Sequence, residues 1–233
     1  MFFRLPVPPS MLSMFPDLGD EQQDVDGARH GGRVRSFKHQ RGNWATYVYI
    51  PFQPEEEFED LQEEVMSVLM KHDVIMNKME EFHISQSQTV VLQHHWISLF
   101  VEALRTRLGS VHRFLCVADR FQVYTNAERT RTFLGLEVSV GKEQLLDVVT
   151  EVDRSLKEFN LQTFYQDPSF HVSVAWCVGD MAGKIQARCL AELQVRRVET
   201  TLWTENVNED LRAVCYLTSL SSCTITVSCA AWE

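Results

Sequence analysis

No run of about 18 uninterrupted apolar residues occurs in the 233-residue chain, so no helix is expected to span a membrane. The opening Met1-Phe2-Phe3-Arg4-Leu5-Pro6 is too short and too broken by proline to read as a secretory signal. A soluble, intracellular protein is the expectation. The six cysteines include no CxxC pair, and Cys215, Cys223 and Cys229 fall in the last nineteen residues. That spacing supplies neither a disulfide framework nor a zinc site. Cys116 and Cys177, inside apolar strand-like runs, read as buried free thiols. Positive charge is scarce: 22 Lys and Arg against 32 Asp and Glu leave a net charge of −10. This argues against the broad basic surface that nonspecific nucleic-acid binding requires, but not against a short contact with a strand end. His30-Gly31-Gly32-Arg33-Val34-Arg35 sets glycines beside arginines without the spacing of a P-loop or dinucleotide fingerprint. The basic residues between Arg33 and Arg41 are too sparse for a nuclear import signal.

What the chain does have is a phrase it uses twice. Phe82-His83-Ile84-Ser85 returns as Phe170-His171-Val172-Ser173, and 171 − 83 gives an offset of 88. Apolar residues alternate with His and Ser in both copies, the period of a strand with one apolar and one polar face. His83 and Ser85 therefore share a face, as do His171 and Ser173.

The surrounding elements repeat at the same offset. Trp44 to Ile50, aromatic and β-branched, predicts a strand ending at Pro51. An acid-led helix follows from about Glu55 to Lys71, with Phe58, Leu61, Val65 and Leu69 on its apolar side. The first motif strand spans about Glu80 to Ser87, and a second helix about Gln93 to Leu108, ending at Gly109. On it, adjacent His94 and His95 face about 100° apart, which suits a surface or helix-end role better than shared metal ligation. Two consecutive strands, 112–118 and 120–124, and a turn at Asn126-Ala127-Glu128 lead to a third strand, Thr132 to Val138. The order then recurs: a helix from Lys142 to Phe159, a polar loop, the second motif strand Ser169 to Val178, and a helix from about Asp180, its expected N-cap, to Leu193.

A shift of 88 lays Thr46-Tyr47-Val48 on Leu134-Gly135-Leu136, and the 93–108 helix on 181–196. The fold expected is α+β: two pseudo-symmetric lobes of antiparallel sheet with flanking helices, forming a central groove with one His-x-Ser strand in each wall. The domain reading is a flexible N-terminal arm over 1–30, a bilobed domain over 31–195 and a divergent C-terminal tail over 196–233.

These residues resemble the 2H phosphoesterase superfamily, named for paired His-x-Ser/Thr motifs, and within it the U6 small nuclear RNA phosphodiesterases. The resemblance covers about residues 5 to 194. It rests on Gly31-Gly32-Arg33-Val34-Arg35, Arg41 to Thr46, Phe82 to Ser87, Tyr124-Thr125-Asn126, Thr130 to Phe133, and the stretch from Glu158 through His171 and Ser173 to Asp180. From Val195-Arg196-Arg197-Val198 onward the chain departs from the family's pattern, and a strand near Thr200–Asn206, placed there by the repeat, is in question.

The resemblance implies a two-lobed fold and a metal-independent 3′-to-5′ exoribonuclease. It would trim uridines from the 3′ end of U6 RNA in the nucleus and leave a 2′,3′-cyclic phosphate. It puts His83, Ser85, His171 and Ser173 on the active-site positions, and Tyr165 on a tyrosine that stacks on a nucleobase. No cofactor and no metal are implied; the partner is a single-stranded, uridine-rich RNA 3′ end, and the state a monomer.

The residues themselves fit that chemistry. Two histidines titrating near neutrality can divide acid and base duties. Ser85 and Ser173 can donate hydrogen bonds to phosphate oxygens as charge builds there. Ser87 extends the first polar face and is given an auxiliary role, because its counterpart at +88 is Ala175. Trp44 and Trp176 read as core aromatics. Which histidine is acid and which base stays open. So do two other readings: a 2′,3′-cyclic phosphodiesterase acting on small nucleotides, and a catalytically impaired splice variant that only binds.

Overall fold

The computed structural model describes residues 42–112 and 114–195, and the backbone of three strands at 200–203, 213–214 and 226–231. All belong to one unit, His39–Glu233; the expected 1–30 arm and the Gly31–Arg35 turn lie outside the described residues. None of the described helices is long and apolar enough to cross a membrane.

Two five-stranded sheets are each built on a central strand from one copy of the repeat. In the first, β1 (Asn43–Phe52) buries Val48 and Ile50 on one face, while Tyr47 and Tyr49 stay half-exposed on the other. β3 (Phe82–Ser85) and β4 (Val90–Gln93) pair antiparallel along one side of β1, and β10 (Thr226–Ala231) along the other. β9 (Ala213–Val214) runs parallel to β10. In the second sheet, β6 (Arg131–Val140) is central. β7 (His171–Val178) and β5 (Leu115–Thr125) flank it, with β2 (Asn77–Lys78) beyond β7 and β8 (Thr200–Trp203) beyond β5. Adding 88 to the bounds of β1, 43 and 52, gives 131 and 140, the bounds of β6. β3 and β7 carry the repeated motif and lie close to each other, although no ladder joins them. The halves also interlock, since β2 from the first pairs with β7 from the second.

Helices cover the core faces. α1 (Glu56–Lys71) carries Glu56, Glu57 and Glu59 in its first turn, where carboxylates oppose the helix dipole, and buries Phe58, Val65, Val68 and Leu69. The buried Gln62 amide donates to the carbonyls of Met79 (2.8 Å) and Val174 (2.9 Å), tying α1 to both halves. α2 (Ile97–Leu108) and α3 (Lys142–Glu158) turn their apolar stripes inward. Cys116 and Cys177 are buried free thiols, and burial pushes the Cys116 thiol up to about 12.

Several expected boundaries move for identifiable reasons. Gln93 belongs to β4, opposite Asn43, rather than to α2; a 3-10 turn at His94–Trp96 intervenes, and His94 and His95 are exposed there. The strands expected at 112–118 and 120–124 form one strand, β5, because a bulge between Val117 and Arg120 absorbs the break in alternation. The helix expected from Asp180 is two helices, α4 (Ala182–Arg188) and α5 (Leu190–Gln194), meeting at Cys189. Its N-cap is Met181, although the Asp180 carboxylate still accepts the Ala182 N–H at 3.2 Å. The Thr132 hydroxyl fixes this entry by accepting the Met181 N–H (2.9 Å) and donating to the Gly179 carbonyl (2.7 Å). Near Thr200, where the repeat expected a strand, β8 covers the outer edge of β5.

Residues 86–89 interrupt the β3–β4 line. Gln86 and Ser87 N–H groups both donate to the Val48 carbonyl, and Val48 N–H, left without a strand partner, donates to Ser87 Oγ at 2.8 Å. The Ser87 hydroxyl in turn donates to the Gln88 carbonyl. Ser87→Ala would strand a buried N–H, at a cost of about 1–3 kcal/mol. A drop of that size in urea-melting stability is expected; wild-type stability with lost activity would show that Ser87 acts in the chemistry instead.

Candidate active site

β3 and β7 present His83, Ser85, His171 and Ser173 as the half-exposed positions of their alternation, while Phe82, Ile84, Phe170, Val172 and Val174 are buried beneath. The two imidazoles are near enough for the charge of His171 to be felt at His83. Burial, then the neighbouring His171, lowers His83 from 6.5 to about 4. His83 stands beside two tyrosine rings of β1, Tyr49 (centroids 5.1 Å apart) and Tyr47 (5.8 Å).

His171 is held differently. Its Nδ1–H donates to the Ser169 carbonyl at 2.8 Å, which leaves Nε2 as the nitrogen available for chemistry. Tyr124 of β5 stacks on the imidazole, with centroids 3.7 Å apart and planes 14° from parallel. The Tyr124 hydroxyl lies 3.2 Å from Ser169 Oγ, so one tyrosine braces both the ring and the residue that orients it. Burial raises Tyr124 to about 12, keeping it a phenol. Burial also lowers His171, opposed by the Ser169 hydrogen bond and by the carboxylate of Glu137, its register partner on β6. Glu137 is itself paired with Lys142 at 3.0 Å.

Gly135 makes room for this bracket. A Cβ there would stand 2.9 Å from the Val172 carbonyl oxygen, 3.2 Å from His171 Cδ2 and 3.4 Å from Tyr124 Cε2. The corresponding residue of the first lobe is Tyr47, so the pseudo-symmetry breaks here: one histidine packs beside β1 tyrosines, the other on a tyrosine reached across a glycine. Reading the residues singly missed Tyr124, Gly135, Glu137 and Ser169. The Tyr47-to-Gly135 substitution within the repeat was the available signal.

Of the remaining expected residues, Tyr165 is 54% exposed on the 159–170 loop that feeds β7. The loop is pinned beneath it, since Phe164 N–H donates to Asp153 (2.8 Å) and the Gln88 amide to the Thr163 carbonyl (3.0 Å). Ser87 is 4% exposed and its hydroxyl is engaged within the fold. Trp44 packs against the core as expected, but Trp176 does not. A bulge between Leu134 and Gly135 buries both Val174 and Ala175 and turns Trp176 to the histidine side of the sheet. Among the described residues, no group of three His, Cys, Asp or Glu side chains is arranged to hold a metal ion.

The burial shifts make a test of the two-histidine geometry. An unfolded histidine titrates near 6.5, His83 in the fold near 4. The unfolded chain binds the extra proton between those values, so stability is full above pH ~6.5 and falls toward pH 4. His83 contributes at most about 3 kcal/mol of that fall. His83→Gln is expected to lose less melting temperature over this range than the parent; equal losses would mean His83 is solvated.

Two mainly antiparallel sheets with a His-x-Ser strand from each at their meeting line define the 2H phosphoesterase-like fold. The HVSL family model, described as an uncharacterised conserved protein, matches residues 5–225. The chain is 66% identical to U6 snRNA phosphodiesterase 1 of Xenopus laevis over 191 residues, 82% of this chain and 76% of that one. The human protein of that name is 53% identical over 191 residues, 82% and 72% of the two chains. The chain belongs to this family. Among solved structures, Kluyveromyces marxianus Usb1 with uridine monophosphate shares the fold at a TM-score of 0.52 and 11% identity, over 69% of this chain and 91% of that one.

Proposed function

We propose that this chain is a phosphodiesterase that processes the 3′ end of U6 small nuclear RNA, removing uridines from 3′ to 5′ and leaving a 2′,3′-cyclic phosphate. The observation that carries the reading is the pair of imidazoles on facing strands, each with a serine two residues on. The relatives' shared name supports U6 small nuclear RNA as the substrate, and a nuclear place of work is inferred with it.

His83, kept neutral by burial, is the base that takes the proton from the ribose 2′-OH. The oxygen so activated attacks the adjacent 3′-phosphate. At His171 a carbonyl and a carboxylate oppose the lowering by burial, as nothing does at His83, so it is the ring assigned to protonate the departing 5′-oxygen through Nε2. Ser85 and Ser173 donate to the non-bridging oxygens, a contribution that grows as negative charge gathers on them. Tyr165 stacks on the terminal base. Neither proton transfer calls on a metal ion.

The direct experiment is 3′-end analysis of an oligouridine-ended RNA treated with the purified chain, with and without EDTA. A ladder of single-nucleotide losses ending in cyclic phosphate, unchanged by EDTA, is expected. Internal cuts, ends bearing a free 3′-hydroxyl, or EDTA inhibition would each contradict part of the scheme.

A further inference from the structure

The chemistry above leaves unused a strip of the second sheet directly beyond Ser173. The bulge beside Gly135 sets Trp176 on the same face as His171 and Ser173. Phe133 is its register partner on β6, and Tyr124, already against His171, is the partner of Phe133 on β5. Two residues along β6, Arg131 holds its guanidinium carbon 5.9 Å from the centre of the Phe133 ring. Phe133 and Trp176 are both half-exposed, and neither packs on the hydrophobic core. Two large aromatic rings, one on β6 and one on β7, therefore lie on the histidine face of the sheet, whose other face is buried.

Position gives the strip a direction. The Tyr165 loop enters at the start of β7, whereas Trp176 is five residues further along, about 16 Å at strand rise. Along β7, His171 and Ser173 come between the end of that loop and Trp176. If Tyr165 takes the base on the 3′ side of the scissile phosphate, the chain on its 5′ side must leave toward Phe133 and Trp176. Aromatic faces with an adjoining arginine suit single-stranded nucleic acid: the rings accept any base, and the guanidinium meets a phosphate. In a chain of net charge −10 such a contact has to be local.

The geometry points to Phe133, Trp176 and Arg131 as a track that holds the nucleotides 5′ of the cleaved phosphate. The track rests on the reading of this chain as an RNA phosphodiesterase, and it makes length of RNA, rather than the terminal residue alone, a determinant of rate.

The test compares kcat/KM on the dinucleotide UpU and on hexauridylate, for the full chain and for Trp176→Ala, Phe133→Ala and Trp176→Tyr, with melting curves of each. The parent is expected to prefer the hexamer. Each alanine variant should lose roughly 5- to 150-fold of that preference, the range for one stacked base, while Trp176→Tyr keeps most of it. A parent indifferent to length, an alanine variant with the parent's preference, or a tyrosine variant as impaired as the alanine one would overturn the track. If the parent cuts neither substrate, the phosphodiesterase reading is what has failed. The track is then judged on fluorescence anisotropy with a labelled 2′-deoxy hexamer: weaker binding by Trp176→Ala upholds it, and equal binding refutes it.

Discussion

His171→Ala is expected to slow uridine release by roughly 10²- to 10⁴-fold, the usual share of one proton transfer, with little change in melting temperature. His83→Ala should lose a comparable factor. The two variants are told apart by the leaving group. A substrate with sulfur in place of the bridging 5′-oxygen expels a thiolate, which needs no proton from the enzyme. It should restore much of the rate to His171→Ala and none to His83→Ala. The asymmetry follows from what surrounds each ring. Burial lowers both rings, but at His171 the Ser169 carbonyl at 2.8 Å on Nδ1 and Glu137, its register partner, oppose that shift, and nothing comparable does so at His83. His83 has tyrosine rings beside it and is held down to about 4, which keeps its lone pair free at neutral pH. Rescue of His83→Ala instead would exchange the two roles; rescue of neither would remove proton donation to the 5′-oxygen from the mechanism.

A single 2′-deoxy sugar at the penultimate nucleotide should abolish release of the last uridine, whereas the same change at the terminal nucleotide should leave the rate nearly unaltered. The nucleophile in the proposed reaction is the 2′-OH next to the phosphate that is cut, so the atom removed is a reactant and not a contact. An enzyme that activates water would tolerate the substitution and leave no cyclic phosphate. Mass spectrometry of the two products, run beside an all-ribose control, reads the outcome in one measurement. Ser85 and Ser173 are left in place by this experiment, so a lost rate cannot be assigned to a damaged protein.

The repeat itself was legible because strand alternation and helical stripes are local patterns. Phe-His-Ile-Ser and Phe-His-Val-Ser declare their polar faces without help from the rest of the chain. The 88-residue offset holds in the structure, where the bounds of β1 shifted by 88 are those of β6, each running a residue or two beyond the strands expected at 44–50 and 132–138. Helix ends fared less well near Gln93 and Asp180. At the first, the ladder to Asn43 outweighed helix propensity; at the second, Thr132, reached across β6, set where the chain could turn.

Alternation fails wherever one extra residue enters a strand. The bulge at Val174 reverses every face after it, so Trp176, read as core, lies on the histidine face, and Ala175, read as the counterpart of Ser87, is buried. Ser87 carries the same lesson from the other lobe, since its hydroxyl substitutes for a ladder bond that only the 86–89 interruption leaves unmade.

The sequence by itself determined that two strands would each offer a histidine and a serine on one face, because side-chain direction along a strand is a property of the backbone. That the two histidines differ was decided only by the tertiary structure. Tyr124, Gly135, Glu137 and Ser169 come from three elements, and no local pattern links them to His171. Their effect depends on ring stacking, a carbonyl acceptor and a nearby carboxylate, which act over a few ångströms and arise only when β5, β6 and β7 are laid side by side.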